Sequence, residues 1–253
     1  MYYDANRRSY NMIFKKFVVL ILFCFPTLFV FGERRPEIPN TSYPGQIITR
    51  DYYALQYSEE YEQAIWVAYE LTKKEVMGKT SRTDNYRPDP DIITGSATLN
   101  DYKNSGYDRG HLAPAADMKM TYQSMSESFL LSNISPQIPE FNRGIWRELE
   151  SLVRDYAIQM DHVLVVTGPI LSFPVKGYIG ESKVAVPWGY FKVILGDIGG
   201  IGFMIENTES QDDVYYYATT INMVEDITRI DFFPFLPDEE EETIEEHIPD
   251  KFL

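Results

Sequence analysis

The sequence predicts an α+β fold: a largely antiparallel central sheet flanked by helices. Three observations carry this. Short apolar segments rich in aromatic and β-branched residues recur along the chain, as strands do. One long stretch repeats apolar residues at three- and four-residue steps, as an amphipathic helix does. The two kinds of segment are clustered rather than strictly alternating, which favours an antiparallel sheet over a doubly wound parallel one. The chain has 253 residues, 44% of them hydrophobic, enough for one domain with a sizeable core.

Residues 1–32 read as a targeting segment. Lys15 and Lys16 precede an uncharged apolar run over residues 17–31. Its 15 residues suit a signal-peptide core and fall short of the ~20 that span a bilayer. Val30-Phe31-Gly32 presents small residues where a signal peptidase inspects, so cleavage before Glu33 is expected. Met12 offers an alternative start. The expected product is secreted or periplasmic, with an uncleaved anchor, and hence a membrane association, as the alternative. Cys24, the single cysteine, lies in this run, so the remainder carries no disulfide.

Residues 33–48 hold Pro36, Pro39, Pro44 and Gly45 and read as an extended linker. The domain proper is expected over residues 49–237. Residues 52–57 and 65–71 are its first strands, and polar residues 80–95, with Pro88 and Pro90, form a loop. Residues 107–112 are a strand or a turn; periodicity does not decide. Residues 124–131 and 143–159 read as helices. In the second, Ile145, Trp146, Leu149, Leu152, Val153 and Tyr156 make one apolar face, and Asn142 stands at the N-cap position. Residues 163–167 form a buried strand stopped by Gly168-Pro169. Residues 183–188, 190–195, 201–206 and 215–219 are further strands, and 222–228 a short helix.

The net charge is −15, and residues 1–32 carry four bases and one acid, leaving −18 on the rest. Such a surface argues against broad nucleic-acid wrapping but allows a small basic site. Part of the excess is the acidic tail 238–253, read as a solvated, partly helical terminus.

The chemistry centres on Asp108-Arg109-Gly110-His111. An imidazole titrates near pH ~6.5 and can take a proton from water. A guanidinium two residues earlier can fork onto a phosphate. Downstream, Asn142 and Glu150 offer a neutral and an acidic oxygen to a divalent cation. Each residue also has a plainer reading: a structural histidine, a helix cap, a solvated acid. On one ideal helix, Asn142 and Glu150 are ~12 Å apart along the axis and ~80° apart around it, so one direct ligand and one contact through water is the workable arrangement. Asn133 reads as bonding backbone in a turn, His162 and His247 as surface residues, and Trp188, Tyr190 and Phe191 as packing. Spacing alone does not bring His111 to Asn142.

Asp108–His111 continues into Leu112-Ala113-Pro114-Ala115-Ala116-Asp117-Met118. Further on come Leu130-Leu131-Ser132-Asn133-Ile134-Ser135-Pro136-Gln137, the Asn142, Trp146 and Glu150 set, and Val165-Val166-Thr167-Gly168-Pro169. In this ordered series, from about residue 52 to 237, the chain resembles the DNA/RNA non-specific endonucleases. These are ββα-metal (His-Me finger) nucleases, the family that includes mitochondrial endonuclease G. The resemblance implies a ββα-metal active-site motif. It implies His111 as general base on a β-hairpin, Asn142 as direct metal ligand on the following helix, Glu150 contacting the ion through water, and Arg109 supporting the phosphate. A further upstream arginine is implied. Arg82 is the choice here, which leaves Arg87 to a loop ion pair; Arg87 is the alternative phosphate-binding arginine. The expected activity is Mg²⁺-dependent hydrolysis of DNA and RNA to 5′-phosphate and 3′-hydroxyl ends, with Mn²⁺ or another divalent ion as alternatives. A catalytically silent binding or structural module and a phosphodiesterase for small nucleotides are the competing readings. DNA and RNA, bound mainly through phosphates, are the expected partners, and a homodimer is possible.

Overall fold

The computed structural model describes Arg35 and residues 37–252. The targeting segment and Cys24 lie outside the described residues. Seven antiparallel strands form the central sheet, in the order β12-β11-β10-β7-β4-β3-β2. They are β2 (Gln46–Thr49), β3 (Ala54–Ser58), β4 (Gln63–Thr72), β7 (His162–Ile170), β10 (Gly189–Gly196), β11 (Gly199–Glu206) and β12 (Ala218–Thr219). Three two-stranded ribbons accompany it: β1 (Asn40–Thr41) with β13 (Ile230–Asp231), β5 (Asp108–His111) with β6 (Ile134–Gln137), and β8 (Gly177–Ile179) with β9 (Val184–Val186). The helices are α1 (Lys73–Val76), α2 (Leu99–Tyr102), α3 (Tyr122–Glu127), α4 (Pro139–Arg143), α5 (Ile145–Gln159), α6 (Ile221–Thr228) and α7 (Asp238–Glu246).

Both faces of the sheet are covered, because successive side chains of a strand point to opposite faces. Val67, Tyr69 and Leu71 of β4, with Tyr190 and Ile194 of β10, pack against Trp146, Leu149 and Val153 of α5. Ala68, Val166, Phe191 and Val193 face the other way, onto Ile221 and Val224 of α6 and onto Phe232 and Phe233. Tyr190 and Phe191 are therefore core residues, as expected, and Trp188 packs at the edge of the second cluster.

Several boundaries differ from expectation. The segment read as linker is partly sheet: Asn40 and Thr41 pair with β13, and Gln46–Thr49 pair with β3. β7 runs through Gly168-Pro169 to Ile170. Its contact with β4 ends at Thr167, while its contact with β10 continues to Ile170. Pro169 thus sits where the strand has one neighbour, the setting in which a missing N–H is tolerated. The 124–131 helix is shorter, ending at Glu127, with a single 3₁₀ turn at Leu131–Asn133. Residues 214–217 form a 3₁₀ turn ahead of the two-residue β12. The tail is helical but not solvated throughout: Phe252 is buried against Tyr156, whose hydroxyl donates to the Phe252 carbonyl at 2.8 Å, and Glu245 is buried too.

The largest correction concerns the start of the long helix. The expected 143–159 helix is α5, beginning at Ile145, and a separate helix, α4, precedes it and holds Asn142 and Arg143; the two divide at Gly144 (φ −100°, ψ −116°). Asn142 is not an N-cap. It lies in the last turn of α4, and Gly144 begins α5. The ~80° separation calculated for one straight helix therefore does not hold.

Candidate active site

β5 and β6 pair antiparallel, with His111 opposite Ile134 and Asp108 opposite Gln137. α4 and α5 follow directly, so the segment has a strand–strand–helix order. The strands are not joined by a tight turn: residues 112–133, with α3 among them, intervene. Gly110 permits the pairing, since a Cβ there would come within 2.1 Å of the Gln137 side chain. Asn133 fixes the chain just past His111. Its Oδ1 accepts from the Ala113 N–H at 2.9 Å, and its Nδ2 donates to the carbonyls of Ala113 and Ser128 at 3.0 and 2.9 Å. The expected backbone role of Asn133 is thus what the structure holds.

A cleft of about 570 Å³ opens between this ribbon and α5. Arg82, Arg109, His111, Asn142 and Glu150 all line it. Arg87 does not; it donates to the carbonyls of Asn85 and Ser126 and makes no ion pair among the described residues. Of the two upstream candidates, only Arg82 reaches the cleft.

His111 is held in an aromatic box, edge-on to Phe129 at 4.9 Å and tilted on Tyr86 at 5.7 Å. Its Nε2 is buried without a hydrogen-bond partner. Burial, then the charges of Arg82 and Arg109, push the imidazole pKa down to about 3. The ring is therefore neutral at any ordinary working pH, the form that can accept a proton. Arg109 lies 4.3 Å over the Tyr86 ring, and Arg82 lies 4.7 Å over Phe129 while pairing with Asp84 at 2.6 Å.

Asn142 donates its amide Nδ2 to Asp108 at 2.9 Å. A carboxylate accepts only, so this bond fixes the amide orientation and leaves Oδ1 as the group offered to a cation. Arg143 forks onto the same carboxylate at 2.8 and 2.7 Å. Burial raises the Asp108 pKa, but the bonds from Arg143 and Asn142 outweigh it and the net shift is downward. Asp108 stays charged.

Beneath Glu150 lies a charged cluster. Asp117 is buried and bonded to Arg154 at 2.9 Å and to the Tyr69 hydroxyl at 2.9 Å. Lys192, fully buried on β10, has its ammonium 4.9 Å over the Trp146 ring. Burial raises the half-buried Glu150 carboxyl, and the Lys192 charge is the largest influence opposing that rise.

Among the described residues no group of three or more His, Cys, Asp or Glu could hold a metal. The donor set is instead sparse: one oriented amide oxygen and one nearby carboxylate. That fits a hard, well-hydrated divalent ion such as Mg²⁺, which keeps several of its waters.

Sequence reasoning missed Tyr86, Arg147 and Arg154 as cleft residues, and the orienting role of Asp108. Arg147 and Arg154 stand three residues before and four after Glu150, so helical spacing around Glu150 was a usable signal. His162 is half-buried and His247 exposed, both away from the cleft.

Comparison with known proteins agrees with this geometry. The family profile described as DNA/RNA non-specific endonuclease matches residues 35–239. A "Nuclease" from Nostoc sp. is 33% identical over 204 residues, covering 74% of this chain and 72% of that protein. Human mitochondrial endonuclease G is 34% identical over 177 residues, covering 65% of this chain and 60% of that protein. A solved structure described as the EndoG/EndoGI complex superposes with a TM-score of 0.72 at 27% identity, over 78% of this chain and 90% of that one. The chain belongs to the DNA/RNA non-specific endonuclease family, a family of hydrolases.

Proposed function

We propose that this member of the DNA/RNA non-specific endonuclease family hydrolyses internal phosphodiester bonds of both DNA and RNA, leaving 5′-phosphate and 3′-hydroxyl ends. The observation that carries the reading is the convergence of His111, Arg82, Arg109, Asn142 and Glu150 on one cleft, from elements far apart in sequence.

His111 takes the proton from the attacking water. Its low basicity in the free protein is set by burial first and then by Arg82 and Arg109. A bound phosphate neutralises those two guanidiniums, so the imidazole becomes a stronger base once substrate is in place. The guanidiniums in turn stabilise the negative charge that builds on the phosphoryl oxygens. Asn142, oriented by Asp108, would hold a divalent cation directly, and Glu150 would contact it through water; Mg²⁺ is the ion proposed. Bound there, the ion supplies Lewis-acid stabilisation of the developing negative charge. Contacts fall on phosphates rather than base edges, which accounts for cleavage of either nucleic acid without strong sequence preference.

The test is conversion of circular plasmid, and of a folded RNA, to shorter forms with Mg²⁺ and with a chelator. Cleavage of both polymers, lost on chelation, is expected. No cutting of either polymer across several divalent ions overturns the reading. Export is proposed separately, on the composition of residues 1–32: the native protein should begin at or near Glu33, and an intact N-terminus in the membrane fraction would favour an anchor.

A further inference from the structure

Five guanidiniums line the cleft: Arg82, Arg109, Arg143, Arg147 and Arg154. Three are already matched to an acid: Arg82 to Asp84 at 2.6 Å, Arg143 to Asp108 at 2.7 Å and Arg154 to Asp117 at 2.9 Å. Arg109 lies over the Tyr86 ring. Arg147 is exposed and makes no ion pair among the described residues, in a chain where acids outnumber bases 38 to 23. Its sequence neighbour Glu148 lines a different cavity. Two cations, Arg147 and Arg154, are placed two turns apart on one flank of α5, with Ser151 between them. Arg154 is neutralised by Asp117, so the uncompensated charge on this flank is that of Arg147, which is open to an anionic counterpart from outside the chain.

We propose that Arg147 is a second phosphate subsite, holding the phosphodiester next to the scissile one on the α5 side of the cleft. This rests on the endonuclease reading above and deepens it. On α5, Arg147 precedes Glu150 by ~4.5 Å along the axis and is offset by ~60°, so it stands on the flank of the reaction centre and not at it. A strand whose scissile phosphate meets Arg109 and His111 carries a further charge for every ~3.4 Å of duplex axis, which brings a neighbouring phosphate onto that flank. A guanidinium with no acid partner can fork onto that phosphate without first breaking an ion pair. Its ligand is the polyanionic strand, DNA or RNA, and it contributes register and affinity rather than chemistry.

The experiment compares the parental protein with Arg147→Ala, Arg147→Glu and Arg147→Lys, each checked for parental circular dichroism. Duplex cleavage gives KM and kcat separately, and binding to a short duplex over a salt series gives the log–log slope. Arg147→Ala is expected to raise KM about tenfold with kcat within about twofold, and to flatten the salt slope by about 0.9. Arg147→Glu should be worse, and Arg147→Lys should recover much of the slope, since charge is kept and the fork is lost. Parental KM and slope in Arg147→Ala, or a loss confined to kcat, overturns the subsite. If the parental protein binds duplex but cuts nothing, the endonuclease reading fails while the slope comparison still decides Arg147. If it binds no duplex at all, both fall.

Discussion

His111 and Asp108 are the two ends of one four-residue strand, and each prepares a different part of the site. His111 is held by packing: Phe129 and Tyr86 leave the ring little freedom, and burial, then the charges of Arg82 and Arg109, keeps it neutral. Replacing it with alanine removes the base but leaves the Asn133 clamp and the β5–β6 pairing in place. His111→Ala should therefore fold with unchanged circular dichroism and lose about 10²–10⁴-fold in turnover; near-parental kcat would show that another group takes the proton. Asp108 acts one step back. Its carboxylate fixes the Asn142 amide and receives the Arg143 fork. Asp108→Asn can still hydrogen-bond but no longer dictates which end of Asn142 faces the cleft, since an amide both donates and accepts. The divalent-ion concentration for half-maximal activity should rise about 10–100-fold, as it does when partners of metal ligands are removed. An unchanged metal titration would mean that Asn142 is oriented by something else.

At the scale of elements, the break at Gly144 decides how Asn142 and Glu150 face each other. A Cβ at residue 144 would approach the Glu140 carbonyl oxygen to 2.5 Å, and that oxygen is backbone of α4 and cannot swing aside. Gly144→Ala should push α4 and α5 apart, lowering activity more than tenfold and thermal stability by several degrees; normal activity at normal stability would show that the junction has slack. The break also marks where reading from sequence stopped. The apolar spacing of Ile145, Trp146, Leu149 and Val153 revealed the helix and its buried face correctly, because burial drives that pattern. It said nothing of a kink, since Gly144 inside a helical pattern is an ordinary, mildly unfavourable residue. The apparent cap at Asn142 was misread for the same reason. Likewise Gly168-Pro169 carries a strong stop signal, and only the one-sided pairing of β7 beyond Thr167 shows why the strand continues. His111, Arg109, Asn142 and Glu150 were legible because they lie in an ordered motif. Their meeting in space was implied by that motif's resemblance and not by spacing, whereas Lys192, a charge set in the middle of an apolar strand and beneath α5, was not legible at all.

The molecule as a whole is closed by its acidic end. α7 packs on α6 and β11, and this brings Glu245 down beside Glu225, whose Oε1 accepts from the Phe232 N–H at 2.6 Å. One Glu245 oxygen is buried with no hydrogen-bond partner. Burial raises both carboxyls: Glu225 to about 7, against the opposing Phe232 N–H bond and with Asp231, Glu241 and Asp226 adding to the rise, and Glu245 to about 8, with Glu225, then Glu241 and Asp231, adding to it. A carboxyl whose pKa is raised by folding stabilises the fold while protonated, and the stabilisation fades as pH climbs through the folded value. Below the ordinary carboxyl value of 4.5 both states are protonated and the stabilisation is complete; thermal stability should therefore fall as pH rises from about 4.5 to about 8 and level off above that, and Glu245→Gln should flatten that fall; a parental slope in the variant would place the titration elsewhere. The remaining acidic excess bears on substrate. A surface of net −15 repels a polyanion everywhere except the cleft, where two arginines lack acid partners and three are shared with carboxylates. Each phosphate neutralised contributes about −0.9 to the log–log salt slope for duplex DNA. Arg109 and Arg147 give two such contacts, and Arg82 or Arg143 can add one each by relaxing its exposed ion pair, which is weak in water. The expected slope is thus about −2 to −4, measured with His111→Ala protein and short duplexes at fixed divalent-ion concentration. Lowering ionic strength should extend association beyond the cleft only slightly, because the flanking surface is of the wrong sign. A slope near −8 would require an extended basic track, and no arrangement of these arginines supplies one.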